Sequence, residues 1–245
     1  MNEDLLIESN STILEALQRL NSLKNISRLI LFVVENNKVL GTVTDGDIRR
    51  SLLVNPNLNR KIIEICNTSF QFKEETNGYI NLASFASKDI KILPILLKDK
   101  TISRIIDLDK TKAIIPVECV IMAGGRGKRL SPMTDNIPKP MLKLGSKPII
   151  EHNIDNLISF GIKRFYVTIN YLGNVIQDYF GDGSSKGVEI IYVQEDKPLG
   201  TAGSLTLISR FEHDEILLIN SDLFTNVNID QMYLNMTENN ADMVI

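Results

Sequence analysis

Apolar and polar positions follow one pattern before residue 116 and a different one after it. In the later part, short apolar runs predict strands, and apolar residues at helical spacing predict helices between them. The predicted elements alternate along the chain, with strands at 117–122, 165–169, 188–193 and 216–220, and helices at 150–158, 175–180 and 202–208. Such alternation is typical of a parallel sheet covered by helices, which binds ligands at the carboxyl ends of its strands.

The earlier part contains an internal repeat. Segments 28–47 and 90–109 align without gaps, and each reads as an apolar strand, a polar turn and a second strand that ends at an acid. The turns, at 35–38 and 98–100, are typical of hairpins. Because one such unit cannot bury its apolar face alone, we expect the two copies to pack together.

An amphipathic helix is predicted ahead of the first copy. Either Ser11 or Thr12 caps its amino end, and Glu15 can close a capping box on Thr12. The helical spacing is carried by Ile13, Leu14, Leu17 and Leu20. We therefore expect an α+β domain over residues 1–115 and an α/β domain over residues 117–245, separated at Pro116.

Composition narrows the classes of function. A net charge of −3 without a basic block argues against binding to nucleic acid. Two cysteines, Cys66 and Cys119, provide neither a disulfide framework nor the spacing of a zinc site. The acidic amino terminus does not resemble a signal peptide, and the longest apolar run, 29–34, is too short to span a bilayer. We expect a cytoplasmic protein that does not bind membranes.

The first strand of the later part leads into a glycine-rich loop, Ala123-Gly124-Gly125-Arg126-Gly127-Lys128-Arg129-Leu130. Glycines allow main-chain N–H groups to approach a phosphate, and the three basic side chains can neutralise its charge. A P-loop requires Ser or Thr where this chain has Arg129, and the dinucleotide-binding fingerprint requires Gly where it has Leu130. The loop therefore indicates phosphate binding of another kind.

The sequence after the loop continues with Ser131-Pro132-Met133-Thr134, Pro138-Lys139-Pro140-Met141-Leu142 and Lys147-Pro148-Ile149-Ile150. Segment 124–150 resembles the signature of the sugar-nucleotide pyrophosphorylases, a family of nucleotidyltransferases, and the similarity extends to about Asp222. The resemblance implies a Rossmann-like nucleotidyltransferase domain with a mostly parallel sheet. It also implies that the family's domain continues beyond residue 245, so that its carboxyl-terminal part is missing from this sequence. Residues 241–245 are expected to begin the next strand.

The resemblance assigns roles to the loop and to the segment that follows it. The main chain at Ala123, Gly124, Gly125 and Gly127 would hold the nucleotide. Arg129 would bind the β- and γ-phosphates, and Lys139 would stabilise charge on the α-phosphate, which makes these two the catalytic candidates. Such a reaction depends on positioning and charge neutralisation more than on a covalent intermediate.

A second loop is expected to bind the base. Gly200 and Thr201 correspond to the family's base-binding turn, and Glu195 precedes it on the same loop. A carboxylate only accepts hydrogen bonds, which suits the adjacent N–H and amino groups of guanine. Uracil and thymine would prefer an amide, so Glu195 favours GTP, although a solvated surface acid is the alternative reading.

A carboxylate at the end of the last predicted strand is expected to bind metal. The family has a magnesium-binding aspartate at the position of Asp222, although its usual preceding glycine is Ser221 here. Mg²⁺ is therefore the expected cofactor. His152 and His213 have no partners at metal spacing and are expected to be solvated or hydrogen-bonded.

The repeat of residues 1–115 resembles a tandem pair of CBS motifs, the Bateman module. Segment 41–47 matches the motif's Gly-x-x-Thr-x-x-Asp pattern, which implies that Thr44 contacts a phosphate and Asp47 a ribose. In the second copy only Asp109 remains of that pattern. An adenine-nucleotide effector and a purely structural or dimerising module are both open, and Asp47 also fits a simple helix cap.

The sequence therefore predicts an enzyme that forms an NDP-sugar and pyrophosphate from an NTP and a sugar 1-phosphate, with GTP favoured. The fusion to CBS motifs resembles enzymes that activate sugars for surface polysaccharides and nonulosonic acids. The narrower hypothesis is guanylyl transfer to glucosamine 1-phosphate by a homo-oligomer. The alternatives are a uridylyl-, cytidylyl- or thymidylyltransferase of the same family, and a non-catalytic regulatory protein that senses adenine nucleotides.

Overall fold

The computed structural model describes residues 3–23, 29–88, 90–197 and 199–245. They form two compact units. The N-terminal unit consists of the described residues up to Asn77 and of Leu82–Thr111, and the C-terminal unit consists of Gly78–Asn81 and Lys112–Ile245. Arg28, at the start of the predicted repeat, lies outside the described residues. The domain limits of 1–115 and 117–245 stay a prediction.

The elements up to residue 111 are, in chain order, β1 (Leu6–Glu8), α1 (Ile13–Ser22), β2 (Ile30–Glu35), β3 (Lys38–Thr44), α2 (Asp45–Val54), β4 (Lys73–Glu74), β5 (Ile80–Asn81), α3 (Ala83–Ala86), β6 (Ile92–Leu96) and β7 (Ile102–Asp107). The later elements are β8 (Ala113–Ile114), β9 (Glu118–Met122), β10 (Lys143–Leu144), β11 (Lys147–Pro148), α4 (Ile149–Ile158), β12 (Arg164–Ile169), α5 (Gly173–Phe180), β13 (Glu189–Gln194), α6 (Gly200–Gly203), β14 (Ile216–Asn220) and α7 (Ile229–Glu238).

Each repeat copy of the N-terminal unit forms a hairpin, as predicted. Strands β2 and β3 pair antiparallel, and so do β6 and β7. The two copies share one apolar cluster, which confirms that they pack together; its members from the two hairpins are Phe32, Val34, Val39, Ile92, Leu96 and Ile102. The capping box on α1 is also confirmed, because Thr12 and Glu15 exchange the hydrogen bonds that the motif requires.

The C-terminal unit is built on a four-stranded parallel sheet in the order β13-β12-β9-β14. This confirms the α/β class with a parallel sheet, and the strands fall within about a residue of the predicted ranges. Met122 at the end of β9 lies level with Thr168 on β12 and Asn220 on β14. The loops that follow these strands therefore emerge at one edge of the sheet.

Three local features of the C-terminal unit differ from the sequence expectation. The helix predicted at 202–208 begins earlier, as α6, and tightens into a 3₁₀ turn at Ser204–Leu207. Helix α7 was not predicted. Residues 241–245, read as the start of another strand, form none, because they have no strand partner among the described residues.

A short segment from the earlier part of the sequence belongs to the C-terminal unit. Strand β5 pairs antiparallel with β8, and the preceding Tyr79 packs against the apolar core of the sheet. The Tyr79 ring also stacks on Tyr233 of α7, with 5.8 Å between the ring centroids. Burial, together with the nearby Asp230 carboxylate, raises the pKa of the Tyr79 hydroxyl. This segment thus completes the core beside β8.

Candidate active site

The glycine-rich loop leaves β9 at the carboxyl edge of the sheet and turns sharply at Gly127. This glycine has a φ of +63°. A Cβ there would lie 3.0 Å from the Lys139 Cβ and 3.2 Å from the Thr134 Cγ2. The Thr134 hydroxyl donates to the Gly127 carbonyl at 3.0 Å, which ties the loop to the segment that follows it. Both the backbone conformation and the close contacts require glycine at this position.

A cavity of about 820 Å³ opens beside this loop. Its lining includes most of the site residues predicted from the sequence, namely Gly124, Gly125, Gly127, Arg129, Lys139, Glu195, Gly200 and Asp222. Ala123 is buried instead, and its N–H donates to the Thr168 carbonyl at 3.0 Å. Thr201 lies in α6, and its side chain is outside the described part of the structure. The fold therefore gathers residues from four separate segments of the sequence into one cavity.

Lys139 and Asp222 both line this cavity and contact each other. Lys139 begins a 3₁₀ turn between two prolines, and its Nζ forms an ion pair with the Asp222 carboxylate. Two hydrogen bonds to the main chain of Ser221 hold the turn that carries Asp222. The Ser221 N–H donates to the Met122 carbonyl at 3.1 Å, and the Asn153 amide of α4 donates to the Ser221 carbonyl at 3.2 Å. Both candidate groups are thus half-buried and held within reach of the loop.

Glu195 directly follows β13 and is only 7% exposed. Its N–H donates to the Ile169 carbonyl at 2.8 Å, and the Asn170 amide donates to the Glu195 carbonyl at 2.5 Å. A Cβ on Gly124 would lie 3.3 Å from the Glu195 Oε1. The carboxylate therefore lies against the glycine-rich loop, in contrast to the solvated position of an ordinary loop acid.

Asn170 and Tyr171 are among the lining residues that sequence reasoning missed. They directly follow β12, so the rule that ligands bind at the carboxyl ends of parallel strands was the signal that could have found them. The Tyr171 ring lies under the Arg126 guanidinium, with 5.0 Å between Cζ and the ring centroid. The cavity is thus bounded by exposed cations on the loop and by an aromatic ring on the neighbouring strand end.

Comparison with known families identifies the family of the C-terminal unit. The nucleotidyl transferase family matches residues 118–245, and the CBS domain matches residues 1–54. The chain belongs to the nucleotidyl transferase family. The first match contains all the lining residues of the cavity, and the second contains the first copy of the N-terminal repeat.

Relatives of this nucleotidyl transferase act on sugar 1-phosphates, according to their names. Mannose-1-phosphate guanylyltransferase of Mycobacterium tuberculosis is 32% identical over 130 residues, which are 53% of this chain and 36% of the relative. D-glycero-alpha-D-manno-heptose 1-phosphate guanylyltransferase of Campylobacter jejuni is 34% identical over 49% of this chain and 53% of the relative. UTP–glucose-1-phosphate uridylyltransferase AglF of Haloferax volcanii is 29% identical over 51% of each.

The solved structures that resemble the chain match it over about half its length. A putative glucose-1-phosphate thymidylyltransferase from Bacillus anthracis has 28% identity and a TM-score of 0.46, and it covers 50% of each chain. HddC from Yersinia pseudotuberculosis has 26% identity and a TM-score of 0.44, and it covers 49% of this chain. The chain spans between about a third and about a half of the curated relatives described above.

Nucleotidyl transferases of this kind use a divalent metal, and two carboxylates line the cavity, those of Glu195 and Asp222. Within the described ranges, no three side chains of His, Cys, Asp or Glu come close enough to form a complete metal site. Mg²⁺ commonly binds through one or two carboxylates together with substrate phosphates and water. The half-buried Asp222 at the cavity wall fits that donor set.

Thr44 and Asp47 of the N-terminal unit, which are predicted to bind a nucleotide, are hydrogen-bonded to each other. The Thr44 N–H and hydroxyl both donate to the Asp47 carboxylate, at 2.8 and 2.6 Å, and the Arg50 guanidinium pairs with its other oxygen at 2.5 Å. Burial acts to raise the pKa of Asp47, but these hydrogen bonds outweigh it and lower the pKa. In the second copy, Asp109 pairs with Lys91 at 3.0 Å. Thr44 and Asp47 thus form the capping box of α2.

Both histidines have structural neighbours. The His152 Nε2 lies 2.9 Å from the Leu144 carbonyl oxygen. The His213 Nδ1 lies 3.9 Å from the buried carboxylate of Glu118, at the amino end of β9. Neither lines the cavity, which agrees with the expectation of hydrogen-bonded or solvated side chains.

No helix in the described part of the chain has both the length and the apolar character needed to cross a membrane.

Proposed function

We propose that this protein transfers a nucleoside monophosphate from an NTP to a sugar 1-phosphate, releasing pyrophosphate and forming an NDP-sugar. The observation that supports it most strongly is the single cavity that brings the glycine-rich loop, Lys139, Glu195 and Asp222 together. In this reaction an oxygen of the sugar phosphate attacks the α-phosphorus, and the bond to the β-phosphate breaks. That nucleophile is already ionised, which agrees with a cavity that contains no Ser–His or Cys–His pair among its lining residues.

The loop N–H groups and the basic side chains of the cavity are proposed to bind different phosphates of the NTP. Main-chain N–H groups around Gly124 and Gly125 would bind the triphosphate, because neither position carries a side chain to block the approach. Arg129, exposed on the same loop, would bind the β- and γ-phosphates that leave as pyrophosphate. Lys139 would stabilise the charge that develops on the α-phosphate, since a fixed cation there lowers the barrier without covalent chemistry.

Asp222 is the proposed ligand for Mg²⁺. The bound ion would supply charge neutralisation between the α-phosphate and the incoming sugar phosphate. The present ion pair with Lys139 is consistent with this role, because it shows that a cation can reach the Asp222 carboxylate from inside the cavity. Once that carboxylate holds a divalent ion, the Lys139 ammonium becomes available to the phosphate.

Glu195 is the proposed base-reading residue, and it favours guanine. Its carboxylate is buried at the cavity wall, and a buried acceptor needs a donor partner. Guanine offers two adjacent donors at its Watson–Crick edge, whereas uracil offers one donor flanked by acceptors. Two of the relatives described above are guanylyltransferases by name and one is a uridylyltransferase, so the base remains part of the proposal. Glucosamine 1-phosphate is the narrower sugar hypothesis.

The N-terminal unit is proposed to bind an adenine nucleotide as an effector. A second cavity of about 340 Å³ is lined by two arginines, Arg50 and Arg60, and by their ion-pair partners Asp47 and Glu64. The capping box that occupies Thr44 and Asp47 favours the alternative of a structural module. A homo-oligomer, expected from the sequence, is also part of the proposal.

The test of the transferase proposal is a matrix of ATP, GTP, CTP and UTP against several sugar 1-phosphates, with pyrophosphate release as the readout. We expect release only when both substrates and a divalent metal are present, and the fastest release with GTP. Nucleotide binding without release in any combination would reject catalysis by this chain and would favour the nucleotide-sensing alternative.

A further inference from the structure

Tyr171 contacts two other segments of the C-terminal unit. Its ring supports the Arg126 guanidinium at 5.0 Å, and its hydroxyl donates to the Asp135 carbonyl at 2.7 Å. Asp135 in turn accepts a hydrogen bond from the Ser131 hydroxyl at 3.0 Å. The strand end after β12 thus contacts both the glycine-rich loop and the segment that follows this loop in sequence.

Arg126 is exposed, and its guanidinium has the Tyr171 ring as a support. A free arginine side chain populates many rotamers, and fixing it on a phosphate costs conformational entropy. Stacking on an aromatic face restricts those rotamers and leaves the edge of the planar guanidinium open to hydrogen bonds. The arrangement therefore presents a pre-oriented, bidentate donor at the cavity, on the loop that is proposed to bind phosphates.

We propose that Tyr171 is a positioning residue, which holds Arg126 against the terminal phosphates of the bound nucleoside triphosphate. This inference rests on the proposed function, because it needs a triphosphate beside the glycine-rich loop. It adds a second arginine to the phosphate site and gives the Tyr171 ring a defined role. Tyr171 acts through Arg126, so removing Arg126 removes any benefit of the ring.

A double-mutant cycle tests this role in the full chain. Titration calorimetry would measure binding of GTP and UTP, each beside its monophosphate, to wild type, Tyr171→Leu, Arg126→Ala and the double variant. We expect each single variant to bind the preferred triphosphate about three- to tenfold more weakly. The double variant should be no weaker than Arg126→Ala, and monophosphate binding should be unchanged throughout. Tyr179→Leu, a tyrosine outside the cavity, is the matched control and should bind like wild type.

Several outcomes would overturn the inference. A loss from Tyr171→Leu that persists in the Arg126→Ala background would mean that the ring contacts the nucleotide directly. A loss of monophosphate binding would mean a general distortion of the cavity. Tyr171→Phe keeps the ring and removes the hydrogen bond to Asp135, so it should bind triphosphate within about twofold of wild type. This variant decides the matter if Tyr171→Leu does not fold, and weaker binding would then reject the role.

The result also separates the inference from the function on which it rests. If the wild-type chain binds neither triphosphate, the proposed function fails and this inference fails with it. If the wild type binds a triphosphate but Tyr171→Leu binds it equally well, the positioning role alone is wrong and the transferase proposal stands.

Discussion

Asp47 and Asp222 are both acids that the sequence connects with a nucleotide, yet their surroundings differ. The Asp47 carboxylate bonds within three residues, to Thr44 and Arg50, and these bonds are those of a helix cap. Asp222 pairs with Lys139, which lies 83 residues away along the chain and lines the same cavity. The partners of Asp47 are close in sequence, so they are present whenever the helix forms. The partner of Asp222 is distant in sequence, so only the tertiary structure brings the two residues together.

A motif whose residues satisfy one another locally is weak evidence for a bound ligand. The Thr-x-x-Asp spacing of 44–47 satisfies a capping box by itself, so its presence needs no ligand to explain it. The Lys139–Asp222 pair stabilises no helix end, and it places two opposite charges in the lining of the cavity. A structural role is therefore sufficient for the acid of the N-terminal unit, whereas the acid of the C-terminal unit is the proposed metal ligand.

The largest effect is expected from Asp222→Asn, which keeps the shape of the side chain and removes its charge. Pyrophosphate release should fall by about 10²-fold or more, because a metal ligand and a partner of Lys139 are lost together. The matched change Asp47→Asn should leave release close to wild type. Equal losses in the two variants would remove the contrast between the acids; thermal melting of each confirms that both are folded.

A smaller effect is expected from Gly127→Ala. The added Cβ would meet Lys139 at 3.0 Å with a φ of +63°, so the variant should lose about 1–2 kcal/mol of unfolding free energy. Gly125→Ala is the control, because a Cβ there meets nothing within 4 Å. Urea unfolding measures both. If the two variants are equally stable, the loop is not held in the conformation described.

Base selection should change with Glu195→Gln. An amide can both donate and accept, so the variant should lose preference for GTP relative to UTP by about tenfold in kcat/KM. Competition between the two triphosphates in one reaction measures the ratio. An unchanged ratio would mean that Glu195 does not read the base.

The smallest effect is expected in the N-terminal unit. Thr44→Ala removes the cap hydroxyl of α2 and should cost about 1 kcal/mol of unfolding free energy. Thr12→Ala, at the matching capping box of α1, should cost a similar amount. Neither should alter pyrophosphate release. A large loss of adenine-nucleotide binding in the Thr44 variant, with stability unchanged, would instead favour the ligand role for this threonine.

Much of this arrangement could be predicted because it depends on local sequence. Apolar runs gave the four parallel strands, and the end of each strand placed Gly124, Glu195 and Asp222 at one edge of the sheet. The capping box at Thr12 follows from spacing alone. The comparison with known families agrees with the family that the loop signature resembles.

What the sequence did not reveal depends on contacts between distant segments. The pair of Lys139 with Asp222 and the stack of Arg126 on Tyr171 require the packed sheet before their partners meet. The helix expected at 202–208 tightens into a 3₁₀ turn, and propensity alone does not fix such end geometry. Likewise, no periodicity marks Tyr79 as part of the later core.

The position of Tyr79 has a practical consequence for anyone who divides this protein. Because the backbone crosses from one unit to the other at 77/78, 81/82 and 111/112, no single cut separates two intact pieces. A clone that starts at residue 117 would discard both the Tyr79 ring and the two-stranded ladder beside it. The C-terminal unit includes residues from two separate stretches of the sequence. A gene fusion that keeps only the later stretch would therefore lack part of this unit.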